Sequence, residues 1–214
     1  MGQRWNDEYG CEILDGIGST EMLHIFLSNR PGRVRYGTTG EPVPGYELRI
    51  VGDDGRECGP GEIGELQIKG PSAAIMYWNN RAKTKATFAG DWTRSGDKYT
   101  CDADGYYTYG GRSDDMLKVG GIYVSPFEVE AALAQHPAVL EAAVIGVADG
   151  DELVKPKAFV VLKPGQQAAA EELQAHVKSR LAPYKYPRWI SFVPELPKTA
   201  TGKIQRFKLR AAAA

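Results

Sequence analysis

The chain has 214 residues, 26 Lys and Arg against 27 Asp and Glu for a net charge of -1, and 43% hydrophobic residues. That length allows one domain or two small ones, either able to bury a working core. The near-zero charge excludes a basic field for nucleic acid or an anionic membrane, and no apolar run reaches the ~18 residues that a transmembrane helix needs.

Up to Asp114, short strand-like runs alternate with turn signals. Strands are predicted over 46–51, 65–69, 92–94 and 106–109, with turns at Gly52-Asp53-Asp54-Gly55 and Asp104-Gly105 and one short helix over about 80–87. This is the rhythm of a small twisted sheet or barrel. Past Asp114 helices and strands mix. Ser125-Pro126-Phe127-Glu128 has the capping-box pattern with proline at the first helical position, and Val129, Ala132 and Leu133 follow at helical spacing. Buried-type strands are predicted over 142–147, 159–162 and 189–193, with an amphipathic helix over about 168–181 whose apolar stripe is Leu173, Val177 and Leu181. The expected fold is therefore α+β: a β-rich, distorted barrel-like piece over 1–113, then a small mobile α+β domain over 114–214.

Three cysteines, Cys11, Cys58 and Cys101, are odd in number and far apart, which suits reduced thiols rather than a disulfide framework or a metal cluster. With no signal segment at the start, the expected location is cytoplasmic. The terminal alanines read as a low-complexity tail.

Four clusters have residue types suited to chemistry. In Asp15-Gly16-Ile17-Gly18-Ser19-Thr20-Glu21-Met22, small residues precede a hydroxyl and a carboxylate. Thr20 could donate to a phosphate and Glu21 could hold Mg²⁺, or the run is a strand ending in a glycine turn with a solvated Glu. It is not a dinucleotide fingerprint, because Glu21 stands where the third glycine would be, and Gly37-Thr38-Thr39-Gly40 lacks the lysine of a phosphate loop and reads as a turn. Asp97 in Trp92-Thr93-Arg94-Ser95-Gly96-Asp97 suits an acceptor of two sugar hydroxyls or an Asx turn. Arg112, in the dense run 110–130, could pair with Asp97, reach the same sugar, or make a surface salt bridge. Lys203, beside Gly202 in Pro197-Lys198-Thr199-Ala200-Thr201-Gly202-Lys203, is either a point charge for an anionic reaction centre or part of a solvated basic tail.

Taken in order, Ser19-Thr20-Glu21, Gly64-Glu65-Leu66, Thr93-Arg94-Ser95-Gly96-Asp97, Gly111-Arg112-Ser113-Asp114-Asp115 through Glu128-Val129-Glu130, and Pro197-Lys198-Thr199 to Gly202-Lys203 closely resemble the carboxyl-terminal part of the adenylate-forming enzymes. That superfamily includes acyl- and aryl-CoA synthetases, luciferases and nonribosomal adenylation domains, and the resemblance covers practically the whole chain. It implies a two-step reaction: a carboxylate attacks the α-phosphate of ATP to give an acyl-adenylate, and coenzyme A then displaces AMP. By the same resemblance Thr20 contacts phosphate, Glu21 ligates Mg²⁺, Asp97 and Arg112 hold the ribose of ATP or AMP, and Lys203 stabilises the adenylation transition state. Asp114 is the hinge about which the small domain turns, Gly120 and Gly121 leave room for the pantetheine arm, and Lys118 assists in that second arrangement.

Residues 15–26 look most like benzoate-CoA ligases and their hydroxybenzoate relatives. This implies an aryl pocket with Gly18 as its floor and His24 with Ile25 at its far end; the family's tyrosine before the glycine is Ile17 here. His24 could equally be a core histidine, while His136 and His176 read as structural. The resemblance also implies that the larger amino-terminal portion of such an enzyme lies outside this chain, as in a proteolytic remnant or a truncated gene, so that the chain alone is expected to have little ligase activity. Other readings are a nonribosomal adenylation domain, a fatty- or short-chain acyl-CoA synthetase, and a non-catalytic nucleotide-binding module.

Overall fold

In the computed structural model, which describes residues 2–213, the chain forms two compact units divided between Ser113 and Asp114. The first opens with helix α1 (Gly2–Tyr9), which buries none of its residues. A three-stranded antiparallel sheet follows in the order β1 (Gly16–Gly18), β2 (Ile25–Ser28), β3 (Glu41–Pro42). A five-stranded antiparallel sheet is then built from β4 (Glu47–Val51), β5 (Gly64–Lys69), β6 (Phe88–Ala89), β7 (Trp92–Cys101) and β8 (Tyr107–Arg112), with α2 (Arg81–Thr87) inserted before β6. Asn80 caps α2 by accepting the Lys83 N–H at 3.1 Å, which satisfies one of the otherwise unpaired donors of the first turn.

The two sheets are joined where Thr39 N–H donates to the Tyr107 carbonyl and Tyr107 N–H donates to the Gly40 carbonyl, both at 2.8 Å. Gly40 has φ +99°, and a Cβ there would lie 2.2 Å from the Ser28 and Asn29 backbone, so no other residue fits the join. The sheets curl around Met22, Phe26, Leu27, Ile50, Leu66, Ile68, Tyr99 and Tyr107. Strand β7 is longer than the three residues its pattern predicts. Gly96, with φ +72°, kinks it without ending its pairing, and the β5 register shifts between Glu65 and Gln67 to accommodate the bulge.

The second unit begins with a hairpin, β9 (Leu117–Val119) and β10 (Ile122–Val124), that the sequence reading did not assign. Helix α3 (Pro126–Ala134), β11 (Val139–Ala148), β12 (Val154–Leu162), α4 (Ala170–Lys178), β13 (Trp189–Phe192) and α5 (Arg206–Ala213) follow. Strand β12 pairs antiparallel with β11 and parallel with β13. Alternate residues of β11 and β12 enter two cores. Ala142, Val144, Ala158 and Val160 pack with Val129, Leu133, Leu173 and Val177 from α3 and α4, whereas Ala143, Ile145, Phe159 and Val161 pack with Leu196 and with Leu209 of α5. Burial on both faces is why these strands read as continuous apolar runs.

The Ser125 hydroxyl accepts the Glu128 N–H at 3.3 Å, so the cap on α3 is real. The Glu128 carboxylate, however, takes both of its short contacts, 2.7 Å each, from the Lys185 ammonium rather than returning to the cap. Ala211, Ala212 and Ala213 are not a featureless tail either: they continue α5, for which alanine is the best helix former.

Candidate functional site

The connection from β1 to β2 gathers five of the residues singled out in the sequence. Gly18 pairs with Ile25, and a Cβ on Gly18 would stand 2.5 Å from the His24 carbonyl oxygen and 2.9 Å from the Ile25 nitrogen. The close backbone approach thus requires glycine. Thr20, Glu21 and Met22 form one 3-10 turn, with Thr20 exposed, Glu21 half-buried and Met22 fully inside the core. Leu23, at φ 71° and ψ -39°, sits at the centre of a γ-turn closed by the His24 N–H on the Met22 carbonyl at 2.9 Å. That strained, exposed residue turns the chain so that His24 and Ile25 stand out beside Gly18. His24 is exposed, so it is not a core histidine.

Glu21 is held from a distant segment. The Tyr77 hydroxyl donates a short hydrogen bond to its carboxylate, and the Ala74 N–H donates to its backbone oxygen at 2.7 Å. The phenol bond, outweighing partial burial, holds the Glu21 carboxyl below the usual carboxylate range, so it is an anion at neutral pH. Two further residues that sequence reasoning missed complete this corner: the Tyr46 hydroxyl lies 2.9 Å from His24 Nε2 and 2.6 Å from Ser72 Oγ, and the Ser72 hydroxyl donates to the Met22 carbonyl at 2.6 Å.

Asp97 and Arg112 face each other across β7 and β8 as register partners. Arg112 Nη1 contacts Asp97 Oδ1 at 3.2 Å and the Ser95 carbonyl at 3.3 Å; Asp97 is buried while the Arg112 side chain is half exposed. The kink at Gly96 lets this happen, since a Cβ there would crowd Arg112 at 3.1 Å. The Asp97 N–H donates to Ser95 Oγ at 3.0 Å, while its carboxylate is paired with Arg112.

The remaining candidates belong to the second unit. Lys203 is exposed in a tight loop in which Thr199 N–H donates to the Lys203 carbonyl at 2.8 Å and Lys203 N–H to Thr199 Oγ1 at 3.1 Å, with Gly202 at φ +83°. Its ammonium pairs with no carboxylate among the described residues. Three residues on, Arg206 is buried, donating to both Glu130 oxygens at 2.7 and 2.8 Å and reaching Asp115 at 3.4 Å. This anchors the loop's far end to the segment that follows Asp114, itself exposed. Gly120 and Gly121, at φ +57° and +85°, are the two turn residues of the β9–β10 hairpin, a conformation that by itself calls for glycine, with open space where a Cβ would stand. Lys118 is exposed on β9, opposite Tyr123.

A cavity of about 630 Å³ lies in the first unit among Gly45, Lys69, Gly70, Ala74, Phe88 and Asp91, and none of the predicted site residues lines it.

Two family models match this chain: AMP-binding enzyme over residues 1–78, and AMP-binding enzyme C-terminal domain over residues 128–203. The chain belongs to the AMP-binding, adenylate-forming enzyme family. Its relatives include a benzoate–CoA ligase of Thauera aromatica, 68% identical over 99% of this chain and 41% of that protein. Another is a 4-hydroxybenzoate–CoA/benzoate–CoA ligase of Rhodopseudomonas palustris, 56% identical over 98% of this chain and 40% of that protein. Among solved structures, an anthranilate CoA ligase in complex with anthranoyl-AMP superposes with a TM-score of 0.92 at 56% identity, over 99% of this chain and 42% of the other. A benzoate CoA ligase from Burkholderia xenovorans superposes with a TM-score of 0.89 at 66% identity, covering 98% and 42%. The chain spans about two fifths of the length of the relatives it matches. No described helix is long and apolar enough to cross a membrane.

Proposed function

We propose that this chain supplies nucleotide-, acid- and CoA-handling residues of an AMP-forming acid–CoA ligase for benzoate or a hydroxybenzoate. The observation that carries the reading is the β1–β2 connection, where a glycine that admits no side chain, an exposed hydroxyl and a carboxylate held ionised stand beside His24 and Ile25. The names of the relatives at 68% and 56% identity support the same acid class.

In the reaction proposed, an oxygen of the acid's carboxylate attacks the α-phosphorus of ATP and pyrophosphate leaves; the sulfur of CoA then attacks the acyl carbon and AMP leaves. Joining a carboxylate to a polyphosphate brings like charges together, so the first step depends on cations and donors placed at the reacting oxygens. Thr20 donates its hydroxyl to phosphate. Asp97 accepts from the ribose hydroxyls, its carboxylate fixed by Arg112 at 3.2 Å. Lys203 brings its ammonium to the charge that develops at the α-phosphate. Glu21 fits Mg²⁺, which is held by one or two carboxylates together with substrate phosphates, because Tyr77 keeps it anionic. When bound, the ion would neutralise phosphate charge.

Gly18 forms the floor under the aryl ring, with His24 and Ile25 closing the end away from the carboxylate. For the second step we propose rotation about Asp114, which removes Lys203 and brings the Gly120-Gly121 hairpin and Lys118 to the pantetheine path. The three free thiols suit a cytoplasmic setting, and breakdown of aromatic acids would be the role.

The test is a pair of half-reactions in the full-length enzyme carrying this sequence. Lys203→Ala should lower ATP–pyrophosphate exchange by about 10²–10³-fold, yet leave thioester formation from supplied benzoyl-adenylate within a few-fold. Asp114→Pro should do the reverse. Equal losses in both half-reactions for both variants would remove the assignment of Lys203 and Asp114.

A further inference from the structure

Both ring nitrogens of His24 are engaged by the protein itself. Nδ1 lies 2.7 Å from the Ile25 carbonyl oxygen, which can only accept, so Nδ1 carries the hydrogen of that contact. Nε2 lies 2.9 Å from the Tyr46 hydroxyl, which is 2.6 Å from Ser72 Oγ, and the Ser72 hydroxyl is 2.6 Å from the Met22 carbonyl oxygen. In the doubly protonated ring Nε2 donates to Tyr46 and Tyr46 to Ser72, the single Ser72 hydrogen being spent on the Met22 oxygen, which also only accepts. If Nε2 carries no hydrogen, Tyr46 donates to it instead, and only the Ser72 contact goes without. In neither arrangement is a ring nitrogen left for a ligand.

The position of Tyr46 is built in from two sides. A Cβ on Gly70 would lie 2.3 and 2.5 Å from the Tyr46 ring, so the ring is seated on a glycine that leaves exactly its space vacant, and it meets the His24 ring edge-on with centroids 5.5 Å apart. The Met22 carbonyl that ends the relay is also the acceptor of the strained γ-turn at Leu23. The relay and the turn that presents His24 therefore share one atom.

We propose that Tyr46 and Ser72 are specificity-positioning residues: by occupying Nε2 they turn the His24 wall of the acid site into one that offers no hydrogen bond. This rests on the reading of His24 and Ile25 as the far end of an aryl pocket. An acid with a hydroxyl at its 4-position then brings a polar group against ring C–H, where it loses water and gains no partner, whereas benzoate loses nothing. An apolar pocket rejects an added hydroxyl by at most about 10²-fold, so the preference expected for benzoate over 4-hydroxybenzoate in kcat/KM is about ten- to a hundredfold.

The experiment is kcat/KM for benzoate and 4-hydroxybenzoate in the full-length enzyme, for the wild type, Tyr46→Phe and Ser72→Ala. Tyr46→Phe frees Nε2 to meet the substrate hydroxyl, and the benzoate to 4-hydroxybenzoate ratio should fall at least tenfold while the KM for ATP stays within about twofold. Ser72→Ala, which loosens the relay without touching the ring seat, should move the ratio the same way by less, and it decides the matter if Tyr46→Phe does not fold. A ratio unchanged in both variants, in an enzyme that uses aryl acids, overturns the relay alone. A wild type that prefers fatty acids overturns the aryl reading and this inference with it.

Discussion

Tyr77→Phe isolates the contact that sets the charge of Glu21. The substitution keeps the ring, which packs 5.6 Å from Phe88, and removes only the hydroxyl that donates to the Glu21 carboxylate. A hydrogen bond to a charged group contributes about 1.5–3 kcal/mol when desolvated. Glu21 and Tyr77 are both only half-buried, so water replaces part of the loss and about 1 kcal/mol is expected at neutral pH.

The sign of the pH dependence follows from the depressed carboxyl. With its folded value below the unfolded one, the unfolded chain binds the proton first as pH falls. The contribution of Glu21 is complete above the ordinary carboxylate value and is lost as pH drops through the folded value. The gap between wild type and variant should therefore be widest at neutral pH and close once both states are protonated. Urea unfolding from neutral to acid pH, with the Glu21 carboxyl followed by carbon NMR, reads both quantities. A Glu21 titration unmoved by Tyr77→Phe would refute the assignment of its charge state to this bond.

Arg206→Ala strips the buried Glu130 of its partner and should cost about 3–5 kcal/mol in urea unfolding, while Glu130→Met with Arg206→Met should recover most of it; equal destabilisation by the single and double variants would contradict the pairing. Gly18→Ala forces a methyl to within 2.5 Å of the His24 carbonyl, a backbone atom that cannot swing away, and should cost about 1–3 kcal/mol, with His24 ring signals displaced in NMR. Burial holds His176 below its ordinary value, with its Nε2 hydrogen on the Ala132 carbonyl at 3.1 Å. The stability it contributes is full above the ordinary histidine value and is lost as pH falls from there through the folded value; His176→Gln should flatten that limb of the stability–pH curve, and an unchanged limb would count against it.

What the sequence revealed depended on how far apart the cooperating residues lie. Strands β11 and β12 were legible because both faces are buried, and α3 because Ser125 and Pro126 mark its start locally. Helix α5 was not: Arg206, Lys208 and Arg210 look like a solvated tail until Arg206 is seen to answer Glu130, 76 positions earlier. The β9–β10 hairpin carried its Gly-Gly signal openly, yet those glycines were read for what could pass over them rather than for the left-handed turn they supply. At the site, the motif residues stood out by local pattern. Tyr46, Ser72 and Tyr77 did not, since each acts across 22 to 56 positions and is, within its own segment, an ordinary strand or loop residue.

The most direct test of the central claim is ATP–pyrophosphate exchange by the full-length enzyme across benzoate, the hydroxybenzoates and short fatty acids. The structure of the β1–β2 connection predicts the highest kcat/KM for an aryl acid, with benzoate above 4-hydroxybenzoate. A fatty acid at the head of that series would contradict the aryl assignment.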